Sequence, residues 1–192
     1  MADIRKQSSW FLVIITFLSG CASRHLPYEE PDPTTSEVAR LRVVALPGIR
    51  VSVLSYPPGN TNCVHQGDAR ELAVESNMSG FKLGYSKKLG MPVKNPVSEK
   101  WGSEFYIRAG APLTLEMISS GSNGFFTGVC DKAFQFLLES GRNYELHSFA
   151  GVRGREAICE ILFLDISDPS KATSVPVRDV YVAKPDIRCP AP

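Results

Sequence analysis

Histidine is scarce in this 192-residue chain, which holds only His25, His65 and His147. A serine or cysteine nucleophile needs a base within hydrogen-bond reach, so the scarcity leaves little room for that chemistry, and no G-x-S-x-G elbow is present. No cysteine pair has C-x-x-C spacing, and His65 stands two positions from a solitary Cys63. A zinc site is therefore not expected, nor any other metal or cofactor. The glycine-containing turns "GSNG" and "GVRGRE" neither follow a strand nor open a helix, which removes phosphate cradling. A surplus of one charge is also missing: 21 basic residues against 20 acidic ones argue against nucleic acid as a partner. The N-terminal apolar run, Trp10 to Leu18, is far short of the ~20 residues that cross a bilayer as a helix.

That run has a different use. "MADIRKQSS" carries Arg5 and Lys6, "WFLVIITFL" is apolar, and small residues follow, the order of parts in an export signal. Leu18-Ser19-Gly20-Cys21 resembles the lipobox of bacterial lipoproteins, where an apolar residue, two small residues and a cysteine are read by a diacylglyceryl transferase and a dedicated signal peptidase. The resemblance implies that residues 1–20 are removed and that Cys21, whose thiol takes the lipid, becomes the first residue of the mature chain. Several acyl chains hold a protein where one myristoyl chain binds only marginally. Ala22 and Ser23 follow the cysteine. The resemblance reads a missing aspartate there as favouring the outer membrane.

Setting Cys21 aside leaves Cys63, Cys130, Cys159 and Cys189, an even set that an oxidising compartment turns into two disulfides. Four cysteines allow three pairings. Cys63 with Cys130 and Cys159 with Cys189 is the preferred one, because the second bridge would pin the tail "KPDIRCPAP" onto a strand. Residues 21–39 hold Pro27, Pro31 and Pro33 among acidic and small polar residues. They read as a semi-extended tether that includes His25.

Residues 40–192 read as one domain. Leu41, Val43 and Ala45 alternate with polar or outward positions, then "LPG" leads into Ile49, Val51 and Val53, a hairpin signature. A second hairpin is expected from Phe105, Ile107 and Ala109 through "AGAP" to Leu113, Leu115 and Met117. A third is expected from Phe134, Phe136 and Leu138 through Ser140-Gly141-Arg142 to Tyr144, Leu146 and Ser148. "EAICEILFLDIS" and "SVPVRDVYVA" add two strands. On this alternation His147, Glu116, Glu145, Glu156 and Glu160 take outward positions. "DARELAVES" is the one candidate helix, with Asp68 as N-cap and Glu71 three positions on. The expected architecture is an all-β antiparallel sandwich of about seven or eight strands with at most one short helix.

"YIRAGAPLTLEMIS" and "FLLESGRNYELHSF" resemble the transthyretin-like or immunoglobulin-like sandwiches of many small bacterial lipoproteins. Adaptor lipoproteins of the type VI secretion apparatus place such a sandwich on an outer-membrane lipid anchor. That analogy implies protein binding. Residues 77–102 read as a long loop in which Lys82, Lys87, Lys88, Lys94 and Lys100 interleave with Phe81, Tyr85 and Trp101. Phe81, Tyr85, Lys87, Lys88 and Trp101 are the candidate contacts for an anionic envelope protein or glycan. The expected function is thus binding rather than catalysis, with an envelope glycan or peptide hydrolase as the alternative.

Overall fold

A computed structural model of the chain describes residues 25–59, 61–78, 81–84, 87–93, 95–122, 127–153, 156–168, 170–184 and 187–189. The expected signal peptide and Cys21 lie outside the described residues.

In chain order the strands begin with β1 (Leu26–Pro27), β2 (Val38–Ala45), β3 (Ile49–Ser55), β4 (Cys63–His65), β5 (Arg70–Met78) and β6 (Phe81–Gly84). A short helix α1 (Pro96–Trp101) precedes β7 (Gly102–Arg108), β8 (Pro112–Ser122), β9 (Thr127–Leu137) and β10 (Asn143–Arg153). The chain ends with β11 (Glu156–Asp165), β12 (Thr173–Ser174) and β13 (Arg178–Ala183). Two sheets face each other. The eight-stranded one runs β1-β5-β3-β8-β9-β13-β4 with β6 as a further partner of β5, and the five-stranded one runs β12-β11-β10-β2-β7. The all-β sandwich is as expected, but its strands are more numerous and both sheets are mixed. β2 runs parallel to β10, β1 to β5 and β4 to β13, a departure from the antiparallel immunoglobulin plan.

Period-two alternation put the right residues inside. Leu41 and Val43, Ile49 to Val53, Phe105 and Ile107, Leu113 to Met117, Phe134 to Leu138, Tyr144 and Leu146 share one core. Between the sheets, Phe136 of β9 and Phe163 of β11 approach with ring centroids 4.5 Å apart. What the alternation did not fix is which strand pairs with which. None of the three expected hairpins forms. In each, the first strand lies in one sheet and the second in the other: β2 and β3, β7 and β8, and β9 and β10. Both arrangements turn the same apolar faces toward a shared core, so their sequences look alike, and the hairpins are corrected to arches that cross the core.

"DARELAVES" forms β5 rather than a helix. Two turns are below the length at which a helix holds itself. The segment instead pairs antiparallel with β3 through a bulge after Val53. The one α-helix among the described residues is α1, where Asn95 Oδ1 accepts the Val97 N–H at 2.8 Å and Pro96 opens the first turn.

The expected tether is folded onto the domain from residue 25. Leu26 and Pro27 pair with Arg70 and Glu71, and the Tyr28 N–H donates to Glu71 O at 2.8 Å. The Tyr28 ring packs against the core and its hydroxyl accepts the Arg108 N–H. Glu30 then accepts the Tyr106 N–H of edge strand β7 at 2.9 Å. This arm therefore joins the edges of the two sheets, covering backbone groups that an open edge would present to another chain.

The disulfides pair as Cys63–Cys189 and Cys130–Cys159, which corrects the expected pairing of Cys63 with Cys130 and Cys159 with Cys189. Cys130 is on β9 and Cys159 on β11, so this bridge staples the two sheets. The sheets meet closely at that end, where a Cβ on Gly128 would lie 2.3 Å from Gly151 O. The other bridge ties β4 to the C-terminal tail, so the tail is pinned as expected but by a different strand.

Candidate functional site

At the opposite end, where the arm begins, a groove of about 600 Å³ opens between the arm and the larger sheet. Pro27, Tyr28 and Pro31 form one wall and Tyr56, Pro57, Pro58 and Leu113 the other. Arg70 and Arg108 stand at its rim with Glu29 and Asp68, so charges of both signs face an apolar floor. Concave apolar surface with a few convergent polar groups is the usual form of a binding site. Four prolines in the walls give it a stiff outline.

Behind Tyr56 lies a titratable cluster. The Tyr56 hydroxyl donates to Glu116, which is only 3% exposed, and Glu116 shares a further hydrogen bond with Asp131. Burial raises the Glu116 carboxyl above its ordinary range, and the neighbouring Asp131 charge adds to the rise, against the lowering by the Tyr56 hydrogen bond. Burial likewise pushes the Tyr56 phenol far up, with the Glu116 hydrogen bond next in importance. Glu116 and Asp131 also line a smaller cavity of about 260 Å³ beside Tyr181 and Lys184.

Glu116→Gln keeps a hydrogen-bond acceptor for Tyr56 and removes the titration. A carboxyl whose native pKa is raised contributes stability that is fully present below its unfolded value near ~4.3 and is lost as pH climbs through the native value. The wild-type protein is therefore expected to lose stability relative to Glu116→Gln between about pH 4 and neutrality. Urea unfolding at the two ends of that range checks it. A stability difference that does not change with pH would show that the Glu116 carboxyl titrates alike in the folded and unfolded chain.

The outer face of the smaller sheet holds a second polar cluster. Arg42 of β2 stands between Glu104 of β7 and Glu145 of β10 and is 1% exposed. Its Nη2 is 2.7 Å from Glu104 Oε1 and its Nη1 is 2.9 Å from Glu145 Oε2. The remaining donors reach Pro92 O at 2.9 Å and Met91 O at 3.1 Å. Glu104 accepts the Leu89 and Met91 N–H groups, while Glu145 accepts Ser98 Oγ at 2.9 Å. Burial acts to raise both carboxyls. Hydrogen bonds from Arg42 and the Leu89 N–H to Glu104, and from His147, Arg42 and Ser98 to Glu145, outweigh it and hold both below the ordinary range.

This cluster fastens part of the segment expected as a long loop over residues 77–102, which instead contains β6 and α1. Residues 87–93 and α1 lie across the outer face of the smaller sheet as a strap. Gly102 closes the strap, and there a Cβ would sit 2.5 Å from Ser98 O. Glu116, Glu145 and His147 do face outward as the alternation has it, but none is fully solvated there: Glu116 and Glu145 are buried and His147 is largely covered. His147 is 18% exposed, with its Nε2 2.6 Å from Glu145 Oε1. Glu156, Glu160 and His65 are exposed.

Of the candidate contact residues, Lys87, Lys88 and Trp101 have described side chains. Lys87 Nζ is 2.8 Å from both carboxylate oxygens of Glu30, so the strap and the arm hold each other. Lys88 caps the end of α1 by donating to Gly102 O at 2.7 Å and to Glu99 O. Trp101 is half-buried, with Lys100 Nζ 4.7 Å from its ring centroid. Phe81 opens β6, and Tyr85 lies outside the described residues. The groove drew no notice in the sequence, although its signals were there: "LPYEEPDP" and "YPPG" carry its prolines and tyrosines. Among the described residues no group of His, Cys, Asp and Glu is arranged to hold a metal ion. No family model, characterised protein or solved structure matches the chain.

Proposed function

We propose that this protein is a lipid-anchored binding module of the bacterial cell envelope, held on the outer membrane through Cys21. Its ligand is another envelope component, in an adaptor, structural or inhibitory role. The observation that carries the reading is the division of the cysteines: Cys21 stands at the end of a lipobox-like sequence, and all four cysteines of the domain are joined in pairs. Paired cysteines suit an exported domain, and the fifth cysteine, at position 21, is the one that the lipobox-like sequence singles out. The transthyretin-like or immunoglobulin-like kinship belongs to this proposal, as does the analogy with secretion adaptors. The groove beside the arm is the contact surface, since it combines apolar walls with charges of both signs. A hydrolase reading would draw on the Glu116–Asp131 pair. Its two carboxyls are in hydrogen-bond contact, closer than the ~5 Å or more that separates glycosidase carboxylates.

Cys21→Ser is expected to abolish incorporation of a clickable fatty acid and to leave the chain unprocessed or released. Undiminished label in that variant would overturn the anchor. A photoreactive residue at Arg70 in intact cells is expected to capture an envelope molecule, and the same residue at Pro47, on the turn between β2 and β3, is not. Equal capture from both positions would remove the groove as the site.

A further inference from the structure

We infer that the groove end of the sandwich rests on the phospholipid headgroups of the membrane that anchors it. This depends on the lipid anchor proposed at Cys21 and goes further, by naming the surface the domain meets and the end it presents. The docked arm is what decides it. A tether free to residue 39 would leave the domain's orientation open, but Leu26 is already paired with Arg70, and Tyr28 is held by the core and by Arg108. Five residue steps separate Cys21 from Leu26, and a fully extended chain covers roughly 18 Å over that distance. The headgroup layer itself takes up roughly 5–8 Å of this.

β1 runs parallel to β5, so the chain ahead of Leu26 leaves at the end where β5 starts. The groove and the turns at Pro57–Pro58 and Ser140–Gly141 lie at that end. The turn at Pro47 and the β8–β9 connection lie at the other, since Ile49 pairs with Gly121 and Ser55 with Leu115. β8 has 11 residues, which at roughly 3.3 Å each separates the ends by more than 30 Å. Only one end is within reach of the membrane. Its chemistry fits headgroups: Arg70 and Arg108 suit phosphate, Glu29 and Asp68 suit the ammonium of ethanolamine, and Leu26, 63% exposed, offers apolar surface beside them.

The test uses the full lipidated protein in vesicles of phosphatidylethanolamine and phosphatidylglycerol containing a headgroup nitroxide lipid. A fluorophore is attached at Pro58→Cys or at Pro47→Cys. Quenching is expected to be several-fold stronger at Pro58, and a 20-residue Gly/Ser insertion between Ser23 and Arg24 is expected to erase the difference. If Pro58→Cys does not fold, Ser140→Cys at the same end replaces it. Mass spectrometry of the N-terminal peptide separates the two levels of failure. A lipidated protein quenched equally at both ends, or more strongly at Pro47, overturns this inference alone, while a protein without lipid overturns the anchor and the inference together.

Discussion

Arg42→Met is expected to lower the stability of the domain by about 3–5 kcal/mol, the usual cost of removing one partner from a buried ion pair. Methionine replaces the volume of the arginine stem but none of its N–H groups. Glu104 would remain buried with no cation beside it, Glu145 would keep only His147 and Ser98, and Met91 O and Pro92 O would lose their donor. No residue of the strap over 87–93 belongs to either apolar cluster, so it should open first. Proteolysis is expected to cut there under conditions where the rest of the domain survives. Arg42→Lys should recover little, because an ammonium cannot serve two carboxylates and two carbonyls with the planar geometry of a guanidinium. Replacing all three charged residues by Met or Leu should recover most of the loss, as in other buried triads. Urea unfolding followed by tryptophan fluorescence measures each step. A loss below about 1 kcal/mol for Arg42→Met would mean that water reaches the cluster and screens it.

Reduction of both disulfides is expected to unfold the domain at 37 °C. The Cys63–Cys189 bridge spans 126 residues and the Cys130–Cys159 bridge 29, for which the chain-entropy model gives about 5 and between 3 and 4 kcal/mol. Together these approach the total stability of an ordinary domain, about 5–15 kcal/mol. Peptide mapping of the oxidised protein should find the two pairs named here, with no free thiol in the domain. Retention of the native tryptophan spectrum and of a cooperative melt in strong reductant would show that the core alone suffices.

What the sequence disclosed and what it withheld divide along a physical line. Side-chain alternation reports which face of a strand is apolar, and Leu41, Phe105, Leu115 and Phe136 were placed correctly by it. It is silent on the strand next door, so the arches read as hairpins. It is equally silent on what covers the outer faces, which is why Arg42, Glu104, Glu116 and Glu145 looked like solvated positions. Each is buried by a segment distant in sequence, and each sits opposite a complementary group that only the fold brings near. The partners of the strap lysines were illegible for a related reason: Lys87 meets Glu30 of the arm and Lys88 meets the end of α1, contacts that only the fold brings near. The helix is legible in Asn95-Pro96, an N-cap followed by proline at the first helical position, whereas "DARELAVES" carries the longer but weaker helix pattern.

The pairing of Cys63 with Cys189 also sets an order of events. A polypeptide emerges from the ribosome, or from a membrane channel, N-terminus first, so Cys63 arrives before Cys130 and Cys159 and waits for the last cysteine of the chain. Throughout that interval any oxidation of Cys63 is an error, and, with the Cys21 thiol taken by the proposed lipid, Cys130 is the first thiol on offer. Maturation therefore favours a chain that stays reduced until it is complete, or a disulfide isomerase that undoes the premature bond. The yield of correctly bonded protein should depend more on reshuffling capacity than on oxidising power.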